Sequence, residues 1–214
     1  MLEVERKNVM KGWLYLIADF SYGEEKIKKT LEAGVDYIQL REKDISSAEY
    51  LRRAKRLREM ARGFDTKLII NDRLDIAMLC GADGVHLGQQ DIPVKDARKL
   101  LGVGKIIGAT AKTVEQARQA IKDGADYLGS GAWFPTETKK DAVPIAEEVY
   151  REILAVAPIP NVAVGGIDAE NGGRPLACGA TGLAISAGIL KADNPADEVR
   201  KVRRLLEEFF SLRK

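Results

Sequence analysis

Gln39, Arg41 and Lys43 occupy alternate positions of the stretch Val35-Asp36-Tyr37-Ile38-Gln39-Leu40-Arg41-Glu42-Lys43-Asp44. Val35 to Leu40 has the β-branched and aromatic character of a strand. Side chains two apart on a strand share a face. Extended conformation carried through to Lys43 puts an amide and two cations on one face, and Ile38, Leu40 and Glu42 on the other. Such a face suits a multiply charged anion such as a diphosphate. A solvated loop after the strand is the plain alternative. Asp72, in Asn71-Asp72-Arg73, and Asp91, in His86-Leu87-Gly88-Gln89-Gln90-Asp91, add two carboxylates. Mg2+ is held by one or two carboxylates with substrate phosphates and water. Singly, Asp72 reads as a helix cap and Asp91 as a turn residue before Pro93. Together with the cations, they make a metal-diphosphate site the better reading.

Gly165-Gly166 and Ser186-Ala187-Gly188 give a second signal. Gly166 permits close backbone approach, and Ile185-Ser186 can open a short helix, a combination that binds phosphate in many barrels. Ordinary tight turns would need the same residues. Thr110 and the polar run Thr136-Glu137-Thr138-Lys139-Lys140 supply further hydroxyls and cations. His86 is the only histidine. It reads either as a general base or as a packed residue between apolar Val85 and Leu87. Trp133 and Phe134 read as a platform, a lid or plain packing.

These residues need elements to hold them. Eight strand candidates run along the chain: 13–18, 36–40, 67–70, 84–86, 105–108, 127–129, 161–164 and 182–185. Helical patterns separate them. Residues 46–62 carry Leu51, Ala54, Leu57 and Ala61 on one stripe and open with Ser46 and Glu49 in capping-box spacing. Thr113 and Gln116 repeat that spacing. The last helix opens at Asn194-Pro195 and carries Val199, Val202, Leu206 and Phe209. A phrase recurs between helix and strand, as Gly34-Val35-Asp36-Tyr37, Gly81-Ala82-Asp83-Gly84, Gly124-Ala125-Asp126-Tyr127 and Gly179-Ala180-Thr181-Gly182. Its glycine ends each helix in the left-handed conformation. The copies are 47, 43 and 55 residues apart, about two strand-helix units each. The fold class expected is α/β, a single (β/α)8 TIM barrel spanning 1–214, with 1–11 an N-terminal extension. A doubly wound sheet is the rival, weakened by the missing Gly-x-Gly-x-x-Gly after the first strand. In a barrel the chemistry gathers at the C-terminal strand ends. The residues singled out above fall there.

Composition narrows the function class. The 214 residues carry 34 Lys and Arg against 32 Asp and Glu, near balance, with no basic block. Nucleic acid is therefore not an expected partner. No apolar run approaches the ~20 residues of a membrane span, and residues 1–11 lack a secretory h-region. Cys80 and Cys178 are spaced for neither metal nor disulfide framework, so reduced core thiols and a cytoplasmic location are expected. Homo-oligomerisation is left open.

Read together, the motifs resemble the thiamine phosphate synthase family over nearly the whole chain. The resemblance rests on QLREKD at 39–44, NDR at 71–73, GADGVHLGQQD at 81–91, IGAT at 107–110, GADYLGSG at 124–131, PTETKK at 135–140 and GGI at 165–167. That family joins an aminomethylpyrimidine diphosphate to a thiazole phosphate, giving thiamine phosphate and diphosphate. The resemblance implies that Gln39, Arg41, Lys43, Asn71, Thr110 and Lys139 hold the pyrimidine diphosphate, with Arg41, Lys43, Thr110 and Lys139 serving catalysis. It implies Asp72 and Asp91 as ligands of Mg2+. Thr136, Thr138 and the backbone around Gly166, Ile185 and Ser186 are implied for the thiazole phosphate. The chain departs from the family pattern in two places. Lys112, in Thr110-Ala111-Lys112-Thr113, stands where the family commonly has His. Asn171-Gly172-Gly173-Arg174 adds a glycine to a helix start. A thiazole tautomerase on the same barrel and a non-catalytic phosphate-ligand sensor are the competing readings.

Overall fold

Odd and even positions of the first strand face different partners, and this sets the architecture. In β1 (Trp13–Ala18), Leu14 and Leu16 pack outward with helical residues such as Ile27 and Val202. Trp13 and Tyr15 pack inward with Ile69, Tyr127, Val162 and Ala184. The computed structural model describes residues 12–136 and 143–212. Its eight parallel strands close into a barrel in sequence order. After β1 come β2 (Tyr37–Leu40), β3 (Lys67–Asn71), β4 (Gly84–Leu87), β5 (Ile106–Thr110), β6 (Tyr127–Gly131), β7 (Asn161–Val164) and β8 (Gly182–Ile185). The helices are α1 (Glu24–Glu32), α2 (Ser47–Met60), α3 (Leu74–Cys80), α4 (Val94–Leu101), α5 (Val114–Lys122), α6 (Glu147–Val156), α7 (Gly173–Ala177), α8 (Ala187–Leu190) and α9 (Pro195–Ser211). The fold is a (β/α)8 TIM barrel. The expected extension at 1–11 lies outside the described residues. No described helix is long and apolar enough to cross a membrane.

Four strands run further toward their C-terminal ends than the sequence suggests. β3 takes in Asn71, β4 Leu87, β5 Thr110 and β6 Gly131. Polar residues at a strand end read as loop. Here the ladder continues through them, with Asn71 beside His86 and Thr110 beside Gly129. At the other end, β2 and β5 start one residue later than expected. Ser46 and Thr113 accept from the N–H groups of Glu49 and Gln116, both at 3.2 Å, as their spacing predicts. Asn194 does not cap α9 with its side chain. Its amide nitrogen donates to Asp197 Oδ2 at 2.6 Å instead. The added glycine at 173 accompanies a helix, α7, of only five residues.

The lumen below the mouth is filled by aromatic rings. Tyr15 stacks on Tyr37 at 5.5 Å, and Trp13 lies 4.8 Å from Tyr37 and 6.0 Å from Tyr127. Glycine on a neighbouring strand makes the room. A Cβ on Gly108 would stand 2.1 Å from Tyr127 Cζ.

The recurring phrase does more than end helices. Asp36 Oδ2 accepts from the Leu14 N–H at 2.8 Å, Asp83 Oδ2 from Leu68 at 2.8 Å and Asp126 Oδ2 from Ile107 at 2.7 Å. In the fourth copy Thr181 Oγ1 takes the same part, accepting from the Asn161 N–H at 2.8 Å. Each residue clasps the start of its own strand to the strand before. Each aspartate is also held by a helix arginine, Arg203, Arg58 and Arg98 respectively. Asp83→Ala leaves the Leu68 N–H without its acceptor and Arg58 without its partner. The expected cost is about 1–3 kcal/mol. It should be seen as a lower urea midpoint with kcat unchanged, since the clasp lies at the barrel end remote from the mouth. An unchanged midpoint would mean that water replaces the carboxylate without loss.

Candidate active site

Strand β2 delivers its alternate side chains as its pattern requires. Gln39, Arg41 and Lys43 all line one cavity of ≈ 750 Å³ at the C-terminal mouth. Ile38 and Leu40 lie in the outer core. Glu42 is buried on that other side, accepting from the Phe20 N–H at 2.9 Å and from Arg53 at 2.8 Å. Regular strand ends at Leu40, yet the alternation persists because Glu42 is tied down. From behind, the Tyr50 hydroxyl on α2 contacts the carbonyls of Leu40 and Asn71 at 2.8 and 3.1 Å, which joins the ends of β2 and β3.

Asp72 is not a helix cap. Arg73 takes the cap position of α3, and its guanidinium turns away to Asp75. Asp72 has φ 61°, and its N–H donates to the His86 carbonyl at 2.8 Å. Asp tolerates the left-handed region better than most residues, which lets the chain aim this carboxylate into the mouth. Lys43 Nζ lies 3.2 Å from Asp72 Oδ2. Asp91 does serve its turn, accepting from the Gly88 N–H at 2.7 Å, but it also faces Asp72. Burial, and then the facing Asp72 carboxylate, push the Asp91 carboxyl up from its ordinary range. A cation shared by the two carboxylates would relieve this repulsion. Among the described residues no group of three or more His, Cys, Asp or Glu is placed to hold a metal ion. This donor set fits Mg2+, which takes few protein carboxylates and completes its shell with phosphate and water.

Asn71 and Thr110 also line the cavity. The Thr110 carbonyl accepts from Gln89 at 2.6 Å. Lys112 reaches the same cavity from the loop after β5, and its N–H donates to Gln116 Oε1 at 2.8 Å. Gly166, Ser186 and Thr136 line the far side. Gly166 has φ 68°, and a Cβ there would meet the Pro135 carbonyl at 2.6 Å and Phe134 Cβ at 2.7 Å. Its glycine is thus required both by conformation and by the loop packed on it. Ser186 stands at the cap position of α8. Ile185 belongs to the outer core and is not among the residues that line the cavity. Thr138 and Lys139 lie outside the described residues.

Two residues that pattern reading passed over, Tyr15 and Tyr127, sit with His86 at the cavity floor. Tyr15 and Tyr127 share a hydrogen bond of 2.8 Å between hydroxyls. His86 Nδ1 lies 3.0 Å from the Tyr127 hydroxyl, and its Nε2 lies 3.0 Å from Thr110 Oγ1. Burial pushes the His86 pKa down to about 4, so the ring is neutral at pH 7. The tyrosines looked like strand-forming core. The inward phase of Trp13, Tyr15 and Ile17 was the available signal. Trp133 is no platform at the cavity. It is 6% exposed and packs edge-on against Tyr150 at 4.8 Å.

Comparison with known proteins identifies the family. The sequence model of the family described as thiamine monophosphate synthase matches residues 14–189. A thiamine-phosphate synthase of Methanobrevibacter smithii is 41% identical over 186 residues, covering 85% of this chain and 89% of that protein. One from Clostridioides difficile is 43% identical over 193 residues, covering 88% and 92%. The solved structure of a thiamine phosphate pyrophosphorylase from Pyrococcus furiosus superposes with a TM-score of 0.85 at 35% identity, covering 94% of this chain and 98% of that one. A 3-hexulose-6-phosphate synthase shares the fold at a TM-score of 0.70 and 18% identity. By the span and identity of these matches, the chain belongs to the thiamine monophosphate synthase family, and its activity is that of a thiamine-phosphate synthase, a transferase acting on small-molecule thiamine precursors.

Proposed function

We propose that the chain condenses 4-amino-2-methyl-5-(diphosphooxymethyl)pyrimidine with a thiazole phosphate, in a reaction that depends on Mg2+. The observation that carries this reading is the meeting, in one cavity, of the Gln39-Arg41-Lys43 face with the facing Asp72 and Asp91 carboxylates. The thiazole nitrogen supplies the electron pair for the new C–N bond to the pyrimidine methylene. The C–O bond to diphosphate breaks, and its electron pair leaves with the diphosphate. The electron-rich aminopyrimidine stabilises positive charge on that methylene. No activated Ser or Cys is needed, so the protein's task is to hold the rings in line and to neutralise the departing charge. Arg41 and Lys43 act on the diphosphate, with Asn71 as a neutral donor, while Thr110 faces the pyrimidine ring of the same substrate. Bound between Asp72 and Asp91, Mg2+ would add Lewis-acid stabilisation of the same leaving group. On sequence grounds the proposal extends to Lys139 at the diphosphate and to Thr138, beside Thr136, at the thiazole phosphate. Gly166, Ile185 and Ser186 offer backbone to that second phosphate. A cytoplasmic location belongs to the same proposal, supported by the buried free thiols of Cys80 and Cys178.

The deciding experiment is turnover of the two substrates with and without Mg2+. Thiamine phosphate and diphosphate should form in equal amounts, and chelation should abolish both. A thiazole tautomerase or a phosphate-ligand sensor would release no diphosphate. Gly166→Ala should separate the two ends of the cavity. The new methyl presses on Phe134 and Pro135, next to Thr136. Thiazole phosphate affinity should fall at least ~10-fold in calorimetry, with pyrimidine diphosphate affinity changed little. Equal weakening of both ligands would contradict two distinct anion sites.

A further inference from the structure

Gln39, on β2, and Thr110, on β5, both line the cavity, and one hydrogen-bond chain connects them. Gln39 Nε2 donates to the Tyr15 hydroxyl at 2.8 Å. Tyr15 meets Tyr127 at 2.8 Å, Tyr127 meets His86 Nδ1 at 3.0 Å, and His86 Nε2 meets Thr110 Oγ1 at 3.0 Å. Each hydroxyl has one proton to give, and a neutral imidazole has one donor and one acceptor nitrogen. The direction of one link therefore fixes the direction of the rest. Because Tyr15 accepts from Gln39, its own proton goes to Tyr127. Tyr127 then gives its proton to Nδ1, Nε2–H gives to Thr110, and the Thr110 proton is left for the cavity. Gln39 is left with Oε1. Among the described residues Trp133 Nε1 is the only fully enclosed polar side-chain atom without a partner, so Gln39 Oε1 opens on the cavity that Gln39 lines.

We propose that Tyr15, Tyr127 and His86 are positioning residues whose one-way hydrogen-bond chain presents an acceptor at Gln39 and a donor at Thr110, and so selects a 4-aminopyrimidine over its 4-oxo counterpart. The edge of a 4-aminopyrimidine offers an amino donor beside a ring-nitrogen acceptor. The 4-oxo ring offers the reverse, a carbonyl acceptor beside an N–H donor. It would face Gln39 with acceptor against acceptor and Thr110 with donor against donor. Reversing the chain to suit it requires Gln39 to turn its amide over and every link behind it to change together. Buried polar groups left unpaired make such a site strongly selective. The chain also explains why the only histidine is placed at the floor and not beside the leaving group. The inference rests on the assignment of Gln39 and Thr110 to the pyrimidine diphosphate made above.

The single histidine allows a direct test. In protein labelled with 15N-histidine, at pH 7 and without substrate, Nε2 should carry the proton and Nδ1 should be bare. A proton on Nδ1, alone or with one on Nε2, overturns the proposed direction. This readout needs no turnover, so it stands apart from the functional assignment, which wild-type activity on the amino substrate tests by itself. Selectivity is tested by Tyr127→Phe, which removes one hydroxyl from the middle of the chain and keeps the ring. The ratio of kcat/KM for the 4-amino over the 4-oxo pyrimidine diphosphate should drop at least ~10-fold. KM for the thiazole phosphate should not change. Equal losses on both pyrimidines would reduce Tyr127 to a packing role and sink the proposal.

Discussion

Asp72→Asn and Asp91→Asn each lower kcat at least ~100-fold and leave the protein folded. Asparagine is the informative replacement. It tolerates the left-handed backbone of Asp72, at φ 61°, which alanine would strain. At position 91 its amide oxygen can still accept from the Gly88 N–H, as Asp91 does at 2.7 Å. Only the negative charge is lost. That charge acts on the leaving diphosphate through the cation it holds, where an electrostatic contribution of this size is expected. A second readout avoids turnover. Binding of inorganic diphosphate in calorimetry should be strengthened by Mg2+ in the wild type and much less in either variant. Near-normal rates in both variants at ordinary Mg2+ would remove the shared-metal role.

Arg41→Ala should raise KM for the pyrimidine diphosphate roughly 10–100-fold, the range of a lost charge-assisted hydrogen bond. Arg41 is half-buried at the cavity and, unlike Lys43, has no carboxylate partner among the described residues. Its side chain is therefore uncommitted until an anion arrives. Its backbone is fixed, with the N–H donating to the Ala18 carbonyl at 2.9 Å. Thiazole phosphate affinity should be unaffected. Arg41→Lys should recover only part of the loss, because a point charge replaces a planar fork. Equal weakening of both ligands would place Arg41 between the two anions.

Much of this was legible in the chain because it follows local periodicity. The alternation through Gln39, Arg41 and Lys43 needs only a strand and its period of two. Asp72 and Asp91 can be placed at neighbouring strand ends once eight strands are counted. What escaped depends on partners far apart in sequence. Tyr15 and Tyr127 meet across 112 residues, and His86 reaches Tyr127 across 41. Alone, each tyrosine looks like an ordinary strand residue, and the lone histidine reads either as a general base or as packing. The glycines of the recurring phrase were readable as helix stops, but the aspartates beside them were not. Their acceptors' purpose appears only when the N–H of the preceding strand comes into view. For Trp133 the sequence leaves platform, lid and packing open, and its contact with Tyr150 makes it packing.

The clasps also divide the barrel. They join β2 to β1, β4 to β3, β6 to β5 and β8 to β7, and so recur once per two strands. Considered as connectivity, the circle of eight is four two-strand modules, each carrying its own fastening at the foot and its own share of the mouth. A chain reopened between modules would keep both halves of every clasp on one continuous segment; a chain reopened within a module would not. New termini, grafts and exchanged quarters therefore have natural seams, and the mouth can be rewritten one module at a time while the foot stays as it is.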